Sequence, residues 1–119
     1  MKGIEAYKEA TITTQSKGRL VVMLYEGAIK FLKGAIKGIE AGDSEAKGKC
    51  IAKAQDIIFE LNTVLDMEGG GEVAMNLRKL YMFMNSQLSQ ANLKQDTKMI
   101  EEVIKLMEEL NQSWKAIAK

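Results

Sequence analysis

No proline occurs anywhere in the 119 residues. Proline ends or kinks a helix at a cost of about 3 kcal/mol, so a chain without it stays helical wherever its other residues allow. Those residues favour the helix: alanine, methionine, leucine, lysine and glutamate are plentiful, and aromatic content is only 6%. Straight-chain side chains lose little rotamer freedom on a helix. Breaks must therefore come from turn signals. Residues 1–15 are threonine-rich and lack a sustained apolar stripe. Ser16 can cap a helix that reaches Ala41, where Gly42 stops it. Asp43 or Ser44 starts a second helix, which ends near Met67 against Gly69, Gly70 and Gly71. A third runs from Glu72 to about Asn92, and Asp96 caps a fourth that reaches the C-terminus.

Helices of about 21–25 residues are roughly 32–38 Å long, and connections this short force neighbours to run antiparallel. The pattern predicts an all-α fold, an antiparallel up-down-up-down four-helix bundle with a short N-terminal cap segment. Residues 1–15 form the cap and 16–119 the bundle, with helices at about 16–41, 44–67, 72–92 and 96–118. A wheel at 100° per residue separates core from surface. The first helix carries the widest apolar arc, including Leu20, Val21, Leu24, Tyr25, Ala28, Phe31, Leu32, Ala35, Ile36 and Ile39. The second turns Cys50, Ile51, Ala54, Ile57, Ile58, Leu61, Val64 and Leu65 inward. The third contributes Val73, Ala74, Leu77, Leu80, Tyr81, Met84, Leu88 and Ala91. The fourth contributes Met99, Ile100, Val103, Ile104, Leu106, Met107, Leu110, Trp114 and Ile117.

Several function classes drop out. With no histidine, a His-based triad, an imidazole base and the Glu-x-x-His pairs of di-iron bundles are excluded. One cysteine cannot build a zinc or iron–sulfur site. Gly69–Gly71 lacks the GK[ST] of a phosphate loop and follows a helix, so it serves as a cap and turn. Glu101–Glu102 and Glu108–Glu109 fall on the polar arc of the last helix. Asn76, Asn85 and Asn92 are candidates for buried hydrogen bonding. No residue set suggests catalysis, a cofactor, a metal or a small-molecule substrate. Net charge is +1; residues 1–50 carry 9 basic and 6 acidic side chains, residues 51–119 carry 8 and 10. So slight an imbalance offers nothing to nucleic acid. No apolar run approaches the roughly 20 residues of a membrane span, and the N-terminus lacks the apolar stretch of a secretory signal. A lone Cys50 suits a reducing compartment, and the expected location is the cytosol.

What remains is apolar surface. Met75 and Met82 lie a heptad apart, nearly opposite the core arc of the third helix, with Leu93 on the same line. Phe83 also falls outside that arc. Phe59 sits about 140° from the centre of the second helix's arc, by the 100° step of the wheel, and Met23 projects from the polar side of the first. Scattered exposed apolar residues are ordinary, but a repeated methionine ridge suits an adaptable binding surface. Gly27, Gly34, Gly38 and Gly42 run along one edge of the first helix. Each helical glycine costs roughly 1 kcal/mol against alanine, which close approach of another backbone would offset, either inside the bundle or from an incoming helix.

Taken consecutively, the motifs resemble the flagellar secretion chaperone FliS family. The matching stretches are Tyr7, LVVMLYEGAIKFLKGA at 20–35, AQDIIFELNTVLDMEGGGEVAMNLRKLYMFM at 54–84, QANLKQDTKMIEEV at 90–103 and LNQSWKAI at 110–117. Members commonly carry a Ser/Thr-Pro pair before the first long helix, where this chain has Ser16-Lys17. The resemblance implies a four-helix bundle that binds the disordered C-terminal segment of flagellin, which wraps around it as helices and extended stretches. Binding prevents premature polymerisation and keeps the subunit fit for flagellar type III secretion. It also implies tail contacts at Phe59, Met75, Met82 and Phe83, and a groove lined by Leu20, Met23, Leu24 and Tyr25 near the N-terminal segment. That segment, with Ile4, Tyr7 and Ile12, would cover the groove in the free protein, and Tyr7 would belong to the partner contacts. The export apparatus and other flagellar regulators are further candidate partners. Two competing possibilities share the fold: a helical regulatory adaptor that binds another export or regulatory protein, and a bundle whose methionines form a homo-oligomer interface.

Overall fold

The computed structural model describes the backbone of residues 2–65 and 70–117, with side chains from Lys17 onward. All four expected helices are present: α1 (Lys2–Glu40), α2 (Ser44–Thr63), α3 (Gly71–Lys94) and α4 (Thr97–Ile117). Each packs on its neighbours in sequence, and α4 returns to α1, closing a square antiparallel bundle. The expected ends at Met67 and residue 118 lie outside the described residues.

The turns form as their side chains dictate. Gly42 adopts φ +70°, where a Cβ would be strained. There the Asp43 N–H donates to the Gly38 carbonyl (2.8 Å) and the Gly42 N–H to that of Ile39 (3.1 Å). These paired bonds satisfy carbonyls the ending helix leaves open. Asp43 then caps α2, accepting from the Ala46 N–H at 3.0 Å. At the other tight turn Gln95 takes the left-handed conformation, and Asp96 Oδ1 accepts from the N–H groups of Lys98 (3.0 Å) and Met99 (3.3 Å).

One helix start differs from the expectation at Ser16: α1 runs without a break from Lys2 through Ser16. Ser16 is followed by lysine, not proline, so nothing removes a backbone donor there, and Gly18 alone costs about 1 kcal/mol. A helix of 39 residues is about 58 Å long, matching the molecule's long dimension of 55 Å. The segment therefore continues along the axis of α1 instead of folding back across the bundle. The side chains of Ile4, Tyr7 and Ile12 lie outside those described.

The core follows the four stripes. Leu32, Ile51, Ile58, Leu61, Met84, Leu88, Ile100 and Met107 are fully buried, each such burial stabilising by about 1.5–3 kcal/mol. Three residues expected inside are not: Leu20 is nearly half exposed, Val73 is 68% exposed and Ile117 73%. Val73 opens α3 and Ile117 closes α4, so the inward angle is right but both sit at helix ends, where they stay exposed. Of the asparagines expected to be buried, Asn76 is exposed, while Asn85 and Asn92 are half-buried.

The glycine edge belongs to the bundle. A Cβ on Gly38 would stand 2.9 Å from the Lys47 backbone nitrogen, and one on Gly34 3.0 Å from Cys50 Sγ. The lack of side chains there lets α1 and α2 approach closely, which offsets the helical cost. It also draws Lys47 into the interior, where its Nζ donates to the Asn92 carbonyl at 3.1 Å. That carbonyl lies in the last turn of α3, where a cation is favoured.

Candidate partner-binding surface

Between α2 and α3 the packing leaves an outward groove of about 200 Å³, lined by Ile58, Phe59, Asn62, Tyr81, Met82 and Asn85. Phe59 and Met82 stand on its rim, 66% and 63% exposed. The walls are tied together beside it: Gln55 Nε2 donates to the Asn85 carbonyl (3.0 Å) and to Ser89 Oγ (2.9 Å). Met75 and Leu93, also exposed, continue the line of Met82 along α3, Met75 at a heptad's spacing. Phe83 is exposed too, but it lies on the flank of α3 from which Gln87, one turn on, reaches Glu102 of α4. The structure thus joins Phe59, Met75 and Met82 along one edge and turns Phe83 to the next.

The α1 residues fall elsewhere. Met23 is exposed and lines a shallow recess with Arg19, Val22 and Lys115, between α1 and α4. Leu20 is exposed, and Leu24 is partly buried against the core. Tyr25 is fully buried and offers no surface in this conformation, because α2 and α4 both pack on α1.

Tyr25 instead meets Tyr81 across the bundle, the hydroxyl oxygens 2.6 Å apart and the rings edge-on with centroids 6.4 Å apart. Burial pushes the Tyr25 phenol up, against the opposing hydrogen bonds of Tyr81 and Trp114. Burial also raises Tyr81, and the hydrogen bond and charge of the neighbouring Tyr25 push it further up. Raised phenols stay protonated in the folded protein while the unfolded chain ionises near pH 10. Stability is then full below pH 10 and falls as pH rises beyond it, by up to about 1.4 kcal/mol per pH unit for each tyrosine. Denaturant titrations from pH 9 to 11.5 should show this decline, and the Tyr25→Phe/Tyr81→Phe double variant should flatten it.

Sequence patterning missed two features. A mainly apolar pocket of about 310 Å³ opens near the end of the bundle, lined by Val21, Leu61, Val64, Leu77, Tyr81 and Trp114 among others. Each of these belongs to a core stripe, so no wheel separates them from filled core. The second is a set of buried amide oxygens with no hydrogen-bond partner, at Asn62, Asn85 and Asn111. The available signal is an asparagine beside a core arc, and of the three only Asn85 is among the asparagines expected to be buried.

The described residues thus form a square helical bundle with two large exposed apolar side chains, Phe59 and Met82, on the rim of an outward groove. The whole chain, residues 1–119, matches the family described as flagellar protein FliS. It is 41% identical over 121 residues to the flagellar secretion chaperone FliS of Salmonella typhimurium, covering 98% of this chain and 90% of the relative. The protein of the same name from Vibrio cholerae is 38% identical over 122 residues, with the same two coverages. That of Bacillus subtilis is 37% identical over 110 residues, covering 92% of this chain and 81% of the relative. The chain belongs to the FliS family.

Proposed function

We propose that this protein is a cytoplasmic export chaperone that holds the disordered C-terminal segment of flagellin, and that it works by binding without catalysis. The observation that carries this is the α2–α3 groove, where Phe59 and Met82 face outward on a chain whose relatives are named flagellar secretion chaperones. Large apolar side chains gathered at one groove mark an interaction site. A groove between two helices accepts the apolar face of a third, and methionine adapts its shape to the incoming surface. A disordered segment that folds on binding gives up ordering entropy, so the complex stays releasable while covering a long stretch of partner. Covering that stretch removes the segment from self-assembly and keeps the subunit fit for export. No described helix is long and apolar enough to cross a membrane.

The test is a calorimetric titration of the full chain with the C-terminal segment of flagellin from the same organism, paired with circular dichroism. Saturable binding with a gain of helix and a negative heat-capacity change is expected. A flat titration with additive spectra would refute the proposal.

A further inference from the structure

Two of the six residues lining the α2–α3 groove are asparagines, and the side-chain oxygens of both are buried without a hydrogen-bond partner. A binding groove that only had to exclude water would not need them. Each stranded carbonyl lowers stability by about 1–3 kcal/mol, and leucine, of similar branched shape, would remove that loss. Such departures from good packing concentrate at functional sites. The Gln55 bonds to Asn85 O and Ser89 Oγ use neither stranded oxygen, so the local network holds the walls and leaves both side-chain oxygens without a partner. Both amides turn on a soft terminal torsion, so little movement brings their polar ends toward an occupant.

We infer that Asn62 and Asn85 set the register of the bound segment, by pairing with a carboxamide or hydroxyl on the otherwise apolar face of an incoming helix. This rests on the proposed function and deepens it. Apolar contacts with Phe59 and Met82 tolerate sliding by a turn, because methionine readjusts to any apolar neighbour. A polar pair inside an apolar contact does not tolerate it, since every wrong register strands both partners. A single buried asparagine fixes register in coiled coils at a cost in stability for the same reason.

The role makes stability and affinity move in opposite directions. Asn62→Leu/Asn85→Leu is expected to raise the melting midpoint of the free protein by about 4 °C or more and to weaken binding of the flagellin C-terminal segment about tenfold. With spin labels on the segment, the wild type should give one distance to a label on α3, and the variant a spread. Asn85→Leu alone carries the same comparison if the double variant does not fold. Unchanged affinity, or a lower melting midpoint with a single distance, would overturn the inference while leaving the chaperone function standing. Failure of the wild type to bind the segment would overturn both.

Discussion

Replacing Leu61 with alanine should destabilise the bundle by about 2–5 kcal/mol, whereas Phe59→Ala should cost less than about 1 kcal/mol. The two positions lie two residues apart on α2, so helix propensity and distance from the ends hardly differ. Their surroundings do. Leu61 is 1% exposed and belongs to the core cluster, and its truncation leaves a cavity that the neighbouring helices cannot close without moving. Phe59 points outward at the groove rim, where alanine leaves no cavity and is the better helix former. Domains of this kind have about 5–15 kcal/mol of total stability, so the first loss is large and the second marginal. Chemical denaturation of both variants reads the contrast directly. Equal losses would mean that Phe59 is a core residue and no part of a binding groove.

That contrast also marks how far sequence could lead. The 100° step separates Leu61 from Phe59, and the same periodicity identified the outward edge of Met75 and Met82, because angle around a helix follows from spacing alone. Position along the axis does not. Val73 and Ile117 have the right angle but stand at helix ends and stay exposed, which a single stripe does not encode. The meeting of Phe59 with Met82 was equally hidden, since a slip of one turn between α2 and α3, about 5.4 Å, would pair Phe59 with another residue. Met23, expected in a separate groove near the N-terminal segment, lines a recess on the α1–α4 side. At the N-terminus two signals competed. Ser16 suggested a start, but the absence of proline proved the stronger, and α1 continues to Lys2.

Changing Met75 and Met82 together to glutamate should lower affinity for the flagellin C-terminal segment about a hundredfold, or about 2.8 kcal/mol, while leaving the fold intact. Both side chains are more than half exposed, and glutamate matches methionine in helix propensity. A glutamate at position 75 also stands one turn before Arg78 and Lys79, a spacing that supports a helix. Stability should therefore change by no more than about 0.5 kcal/mol. Binding has no such compensation. An apolar face laid along this edge would lose the area of two methionines and would have to desolvate two carboxylates with no partner. Circular dichroism checks the fold and calorimetric titration the affinity. The corresponding double change to lysine separates the causes: equal loss in both variants points to the missing apolar contact, and loss only with glutamate to repulsion from an acidic segment. Unchanged affinity in both would remove the methionine edge from the site. A large loss of helix would show that the two methionines support the bundle from within, and the outward edge along α3 would have to be abandoned.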